Sequence, residues 1–318
     1  MTPDKNRFRG TILGLAYGDA LGAPYEGGML ERLLWRLIGR TSKEEIRWTD
    51  DTQMALDLAE VLLACGGIEQ EKLAQQFARS YAWSRGYGAG TAKVLKRVAA
   101  GKDWRTAAQS AHKGGSWGNG GAMRAPVIPL YYCNRDCDAM LLAVKKATEV
   151  THGHPVAFEG AALVALHVDG ALKNKPREAV FADFSSRFPD SPFLARIDTL
   201  ANWLASGHNV SPAEAAKTLG NGVCALDSCP LAIYIAHAFR QVTFSELMEY
   251  AAACRGDVDT IAAMAGAIWG AHAGSGQLEN LKAPLEAKDF LIRLADRLYD
   301  AAFHGHAYYN AEYVRVWG

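Results

Sequence analysis

The sequence predicts an all-α, multi-helix fold built as one domain over residues 1–318. Three observations carry that expectation. Apolar residues recur at helix-face spacing along most of the chain. β-branched alternating runs are scarce, VIPLYYC at 127–133 being the best and still ambiguous strand candidate. No internal repeat, low-complexity linker or block of like charge marks a boundary between domains. At 318 residues, 49% of them apolar, the chain is long enough to bury a substantial core.

The first helix carries a glycine stripe, Gly10, Gly14, Gly18 and Gly22. A four-residue spacing keeps these glycines near one face. Each costs up to about 1 kcal/mol of helix propensity relative to alanine, and close approach of another backbone would offset the loss. The segment IAAMAGAIWGAHAG at 261–274 is rich in small residues in the same way, so these two segments are expected to pack tightly at the centre. Between them, Met54, Leu58, Val61, Leu62 and Cys65 mark a helix after Thr52 that stops at Gly66-Gly67. Further helical patterns run through 70–83, 91–100, 104–112, 138–148, 155–171, 176–187, 193–206, 211–219, 228–240, 243–253, 260–272 and 287–302.

Composition narrows the function classes. The 34 basic and 34 acidic residues cancel, which gives no support to a nucleic-acid-coating surface. No apolar run reaches roughly 18 residues, so no membrane span is expected. The start of the chain, MTPDKNRFRG, lacks the apolar core of a signal peptide. Cys65, Cys133, Cys137, Cys224, Cys229 and Cys254 are scattered through apolar segments, which fits reduced thiols and a cytoplasmic location better than a disulfide framework.

The chemistry concentrates in two acidic clusters. WTDDT places Thr49, Asp50, Asp51 and Thr52 at a helix start, and GDVDT places Asp257, Asp259 and Thr260 at another. Asp and Thr are good N-caps, and acids favour the positive end of a helix dipole. One cap explains one acid; it leaves two acids with a threonine, twice over, unexplained. Four carboxylates brought together would repel unless protonated or bridged by cations, and hard divalent ions take oxygen ligands of this kind. Two glycine-rich turns lie between the clusters: RGYGAG at 85–90, with a helix expected from Thr91, and GGSWGNGGAMR at 114–124. Glycine lets backbone amides approach an anion, so both are candidate phosphate cradles as well as plain connectors. Tyr87 and Trp117 could stack on a base or ribose or simply pack. THGHP at 151–155 puts His152 before another helix, where a ligand contact suits it better than a metal.

Taken in order, GDALGAPYE (18–26), WTDDTQM (48–54), RGYGAG (85–90), GSWGNGGAMR (115–124), THGHP (151–155), ALDSCPLAIY (225–234) and GDVDTIAAMAGAIWGA (256–271) resemble the ADP-ribosylglycohydrolases. The resemblance runs from about residue 7 to about residue 300. The loops are more similar to the branch that hydrolyses serine-linked, acetylated and polymeric ADP-ribose than to the arginine-specific branch. It implies an orthogonal helical bundle around a central binuclear cleft with two Mg²⁺ or Mn²⁺ ions. It implies that Thr49, Asp50, Asp51, Asp257, Asp259 and Thr260 are metal ligands, and that Glu26 with the four aspartates forms the catalytic set. Gly115, Ser116, Trp117, Gly118, Asn119, His152, Tyr87 and Gly88 would bind the substrate. Three features depart from the family pattern: Trp117 stands where that branch often has tyrosine, Val258 where many members have threonine, and the His154-Pro155 pair differs from some mammalian versions. The implied partners are ADP-ribosylated proteins or ADP-ribose derivatives, bound by a monomer. Arginine-linked substrates, a non-catalytic ADP-ribose reader or toxin-immunity protein, and a two-metal phosphoesterase releasing AMP are the competing readings.

Overall fold

The structure, a computed structural model, describes residues 4–207 and 210–305. Among these residues there are eighteen α-helices and no strand. The first six are α1 (Lys5–Gly22), α2 (Met29–Ile38), α3 (Asp50–Cys65), α4 (Gln70–Ser80), α5 (Ala89–Ala99) and α6 (Trp104–Ala111). The middle six are α7 (Gly120–Arg124), α8 (Val127–Tyr132), α9 (Cys137–Glu149), α10 (Pro155–Leu172), α11 (Arg177–Arg187) and α12 (Leu194–Ser206). The chain closes with α13 (Pro212–Leu219), α14 (Ala225–Ala238), α15 (Phe244–Cys254), α16 (Val258–Ala273), α17 (Gly276–Glu279) and α18 (Lys288–Phe303).

The centre is the antiparallel pair α1 and α16, the two small-residue segments. Their glycines interlock. A Cβ on Gly14 would lie 2.1 Å from the Gly266 carbonyl oxygen, and one on Gly270 would lie 1.9 Å from that of Gly10. At the far end of the stripe, a Cβ on Gly22 would meet the Cα of Asp259 at 2.6 Å. Backbone contact along the whole seam replaces side-chain packing, and this is the gain that offsets the propensity lost at each glycine. It also brings the C-terminal end of α1 against the acidic start of α16.

Around this pair pack α10, α14, α15 and α18, with α3 and α7 closing the acidic end. Local signals set the helix boundaries. Asp4 accepts from the Arg7 amide to cap α1, Thr243 and Glu246 form a reciprocal capping box on α15, and α3 stops at Gly66 with φ +73°. Within α14, Pro230 has no amide to offer the Leu226 carbonyl, and the Arg196 guanidinium donates to that carbonyl instead. The Arg7 guanidinium likewise donates to the Ala171 and Leu172 carbonyls at the end of α10, both at 3.1 Å. By length and apolar composition α10 could cross a membrane, but 72% of it is buried inside the molecule, where its apolar faces serve the core. All six cysteines are free thiols.

One expectation needs correction. The strand candidate at 127–133 is helical, as α8. A short apolar run cannot be assigned by periodicity alone, and this one is buried on every side, which a core helix satisfies as well as a strand. Pro129 is tolerated because it falls in the first turn, where the amide has no helical partner to lose. α2, α7 and α17 lie outside the helical patterns read from the sequence.

Candidate active site

The two acidic clusters meet. Thr49 is the N-cap of α3, and its Oγ1 accepts from the Asp51 amide, so Asp50 and Asp51 occupy the first turn. Asp257 is the N-cap of α16, followed by Val258, Asp259 and Thr260. Val258 is fully buried, so the position that departs from the family pattern contributes packing. Across the junction Thr260 Oγ1 donates to Asp51 Oδ2 at 3.3 Å, and Thr49 Oγ1 donates to the same oxygen at 3.1 Å. Carboxylate oxygens of Asp19, Asp51 and Asp259 lie within 4.8 Å of one another, as do those of Glu26, Asp257 and Asp259. Asp259 belongs to both groups.

Asp19 is the residue the sequence reading passed over. It lies in GDALGAPYE, yet a single acid within a helix reads as a solvated position. Here it is fully buried. It accepts from the Thr49 amide (2.9 and 3.0 Å), the Thr52 amide (3.0 Å) and Thr52 Oγ1 (2.6 Å). Those bonds cap the start of α3 and fix where Asp50 and Asp51 stand. The available signal was its place directly after Gly18, in the glycine stripe that turns towards the core.

Burial and mutual repulsion dominate the electrostatics. Burial pushes Asp19 and Asp257 up to about 6, against the pull of their hydrogen bonds. It pushes Asp50, Asp51 and Asp259 well above the usual carboxylate range, and the neighbouring carboxylates push the same way. Cations placed among acids held this way would offset their repulsion. Asp51 Oδ1 is buried with no hydrogen-bond partner. All-oxygen donors, like charges in excess and an orphaned buried carboxylate oxygen fit hard divalent ions such as Mg²⁺ or Mn²⁺.

The glycine-rich loop at 114–119 forms one wall. Gly114 and Gly115 take φ of +85° and +91°, and a Cβ on Gly115 would lie 2.5 Å from the His154 nitrogen. The loop is pinned to the segment before α14: the Asn119 amide donates to the Val223 carbonyl and the Ala225 amide to the Trp117 carbonyl, each at 3.0 Å. Ser116 Oγ accepts from the Gly118 amide at 3.3 Å. Asn119, expected to hold substrate, spends its side-chain nitrogen within the protein, donating to Asp257 Oδ2 and to Ser228 Oγ. It therefore links the loop to the acid cluster. Trp117 is 55% exposed and its ring stacks on His154 at 4.1 Å.

RGYGAG forms the other approach. A Cβ on Gly86 would lie 3.8 Å from Asp50 Oδ1, which places this loop against the cluster. Arg85 anchors it, with a bidentate pair to Glu286 and a bond to the Trp48 carbonyl, all at 2.7 Å. Gly88 borders open space as the N-cap of α5, which starts at Ala89, two residues before the expected Thr91. Tyr87 is buried with its ring 4.9 Å from that of Tyr81, so it offers no free face for the stacking considered above. His152 is buried beside the loop, its Nδ1 2.7 Å from Thr151 Oγ1.

A helical bundle with an oxygen-rich acid cluster flanked by glycine-rich loops is compatible with a hydrolase acting on a nucleotide-sugar linkage. The comparisons identify the class. A model of the ADP-ribosylglycohydrolase family matches residues 1–307. ADP-ribosylhydrolase ARH3 of Danio rerio is 32% identical over 337 residues, covering 93% of this chain and 90% of that protein. ADP-ribosylhydrolase ARH3 of Homo sapiens is 32% identical over 320 residues, covering 86% and 87%. A solved chain described as an ADP-ribosylglycohydrolase-related protein complex superposes with a TM-score of 0.68 at 29% identity, covering 94% of this chain and 98% of its own. The chain belongs to the ADP-ribosylglycohydrolase family. It is a hydrolase, and its substrates carry ADP-ribose.

Proposed function

We propose that this protein removes ADP-ribose by hydrolysing the bond from C1″ to an acceptor, in a reaction dependent on two Mg²⁺ or Mn²⁺ ions, with serine-linked, O-acetyl or polymeric ADP-ribose as the favoured substrates. The main support is the meeting of the two acid-bearing helix starts, where carboxylates of Asp51, Asp257 and Asp259 come close to those of Asp19 and Glu26, with an orphaned oxygen on Asp51. Similarity to ADP-ribosylhydrolase ARH3 from several vertebrates supports ADP-ribose hydrolysis, and the choice of linkage rests on the loop motifs at 85–90, 115–124 and 225–234.

Thr49, Asp50, Asp51, Asp257, Asp259 and Thr260 would hold the ions. When bound, such ions supply Lewis acidity and lower the pKa of water by several units. The protein's own residues do the rest. The glycine loop at 115–118 and its amides would seat the diphosphate. Glu26, the one half-exposed member of the acid group around Asp257 and Asp259, is placed to take a proton from attacking water and return it to the leaving group. Positive charge grows on the ribose as the C1″ bond breaks, and the surrounding carboxylates stabilise it. Asp19 and Asn119 orient ligands and touch no substrate in this scheme. Comparing release from serine-linked and arginine-linked mono-ADP-ribosylated peptides tests the choice of linkage; faster release from the arginine-linked peptide would overturn it.

A further inference from the structure

Arg124 closes the GGSWGNGGAMR segment and is fully buried. Its Nη2 donates to the Ala147 carbonyl and to Thr151 Oγ1, both at 2.8 Å, and its guanidinium lies 4.9 Å over the Phe77 ring. Thr151, 3% exposed, stands between this guanidinium and His152 Nδ1. The order of donors follows from the partners in reach: among the described residues, Thr151 Oγ1 meets only Arg124 and His152. A guanidinium only donates, so Thr151 Oγ1 accepts from Arg124. The hydroxyl carries one proton of its own, and His152 Nδ1, at 2.7 Å, is the acceptor beside it. A ring nitrogen that accepts carries no proton, so the proton of the neutral imidazole sits on Nε2. Burial and the Arg124 charge hold the ring neutral, pulling its pKa down to about 3.

Nε2 faces the loop. A Cβ on Gly118 would lie 3.0 Å from it, and one on Gly120 would lie 2.4 Å from Cε1 and 2.9 Å from Nε2. These two glycines leave room for the ring edge, and among the described residues no protein acceptor takes the Nε2 proton.

We propose that Arg124 and Thr151 are positioning residues: they form a one-way relay that presents His152 Nε2–H as a fixed donor to an oxygen acceptor of the substrate, of the phosphate or ribose class, held over the Gly118–Gly120 floor. The identity of that acceptor rests on the function proposed above; the relay itself does not. A histidine free to swap tautomers would present a lone pair to the same oxygen part of the time and repel it. The fixed donor removes that state and orients the ring before substrate arrives.

The test has two readouts. Two-bond ¹H–¹⁵N correlation on the full-length, substrate-free protein reports the His152 tautomer. A single Nε2-protonated form with Nδ1 shifted as a hydrogen-bond acceptor is expected from pH 5.5 to 8. A ring protonated at Nδ1 would overturn the relay, whatever the enzyme hydrolyses. The second readout is affinity for free ADP-ribose. Thr151→Val should weaken it by roughly tenfold, the scale of one hydrogen bond to a charged acceptor. Thr151→Ser keeps the hydroxyl and should restore it. Wild-type affinity in Thr151→Val, or equal loss in Thr151→Val and Thr151→Ser, would overturn the proposal. If no variant and not the wild type binds ADP-ribose while the tautomer is as expected, the functional reading fails and the relay stands.

Discussion

Asp50, Asp51, Asp257 and Asp259 were legible in the sequence because adjacent acids at a helix start exceed what capping needs, and because the excess occurs twice. In the proposed reaction Glu26 is the member of the set whose loss would separate chemistry from binding. Glu26→Gln keeps the shape and removes the base, so kcat should fall by roughly 10²- to 10⁴-fold while affinity for ADP-ribose holds; steady-state kinetics with a binding isotherm checks both. Asp259 lies in both carboxylate groups. Asp259→Asn should therefore cost activity and also any stabilisation by metal. Other residues stayed hidden for physical reasons. Asp19 and Ser228 meet the site through tertiary contacts, and nothing in a one-dimensional pattern separates a buried acid that caps a distant helix from a solvated one. The bond from Asn119 to Asp257, 138 positions further along the chain, was likewise beyond the reach of a sequence pattern.

At the scale of the elements, the glycine stripe was readable as a backbone contact, and the structure pairs it with the small-residue helix expected to receive it. Gly266→Ala would drive a methyl to 2.2 Å from the Gly14 carbonyl oxygen. Overpacking of this kind costs about 1–3 kcal/mol or more, which exceeds the gain of up to about 1 kcal/mol in helix propensity. Urea denaturation should show a net loss, whereas an alanine at the exposed Gly88, where a Cβ meets nothing, should be tolerated. α3 also carries Asp57, fully buried, accepting from Ser80, Gln76 and Gln53. Burial outweighs those bonds and raises it from 3.8 to about 7. The folded state then holds its proton more tightly than the unfolded chain, so this group's contribution to stability falls as pH rises from about 4 to about 7. Asp57→Asn should flatten that part of the profile; urea midpoints at pH 5 and pH 8, compared with wild type, give the answer. The 127–133 segment marks the limit of pattern reading, because an apolar run buried on all sides has no face to reveal its period.

The whole molecule works as a device for bringing two helix starts together. The α1–α16 seam sets the depth of α16, Asp19 at the end of α1 captures the start of α3, and the loop at 114–119 is tied to Asp257 through Asn119. Like charges so assembled work against folding until cations join them. Saturating Mg²⁺ or Mn²⁺, at about one hundred times its dissociation constant, should stabilise the fold by about 2.7 kcal/mol and raise Tm by about 5 °C. In Asp259→Asn that increment should vanish; a calorimetric scan with and without EDTA reads it. The central claim is that this assembly cuts at C1″ with the help of metal. Incubation of a serine-linked mono-ADP-ribosylated peptide with the protein, in Mg²⁺ and in EDTA, followed by mass spectrometry, tests it most directly. The account predicts intact ADP-ribose and unmodified peptide in Mg²⁺ and neither in EDTA; AMP as the product, or release that ignores EDTA, would contradict it.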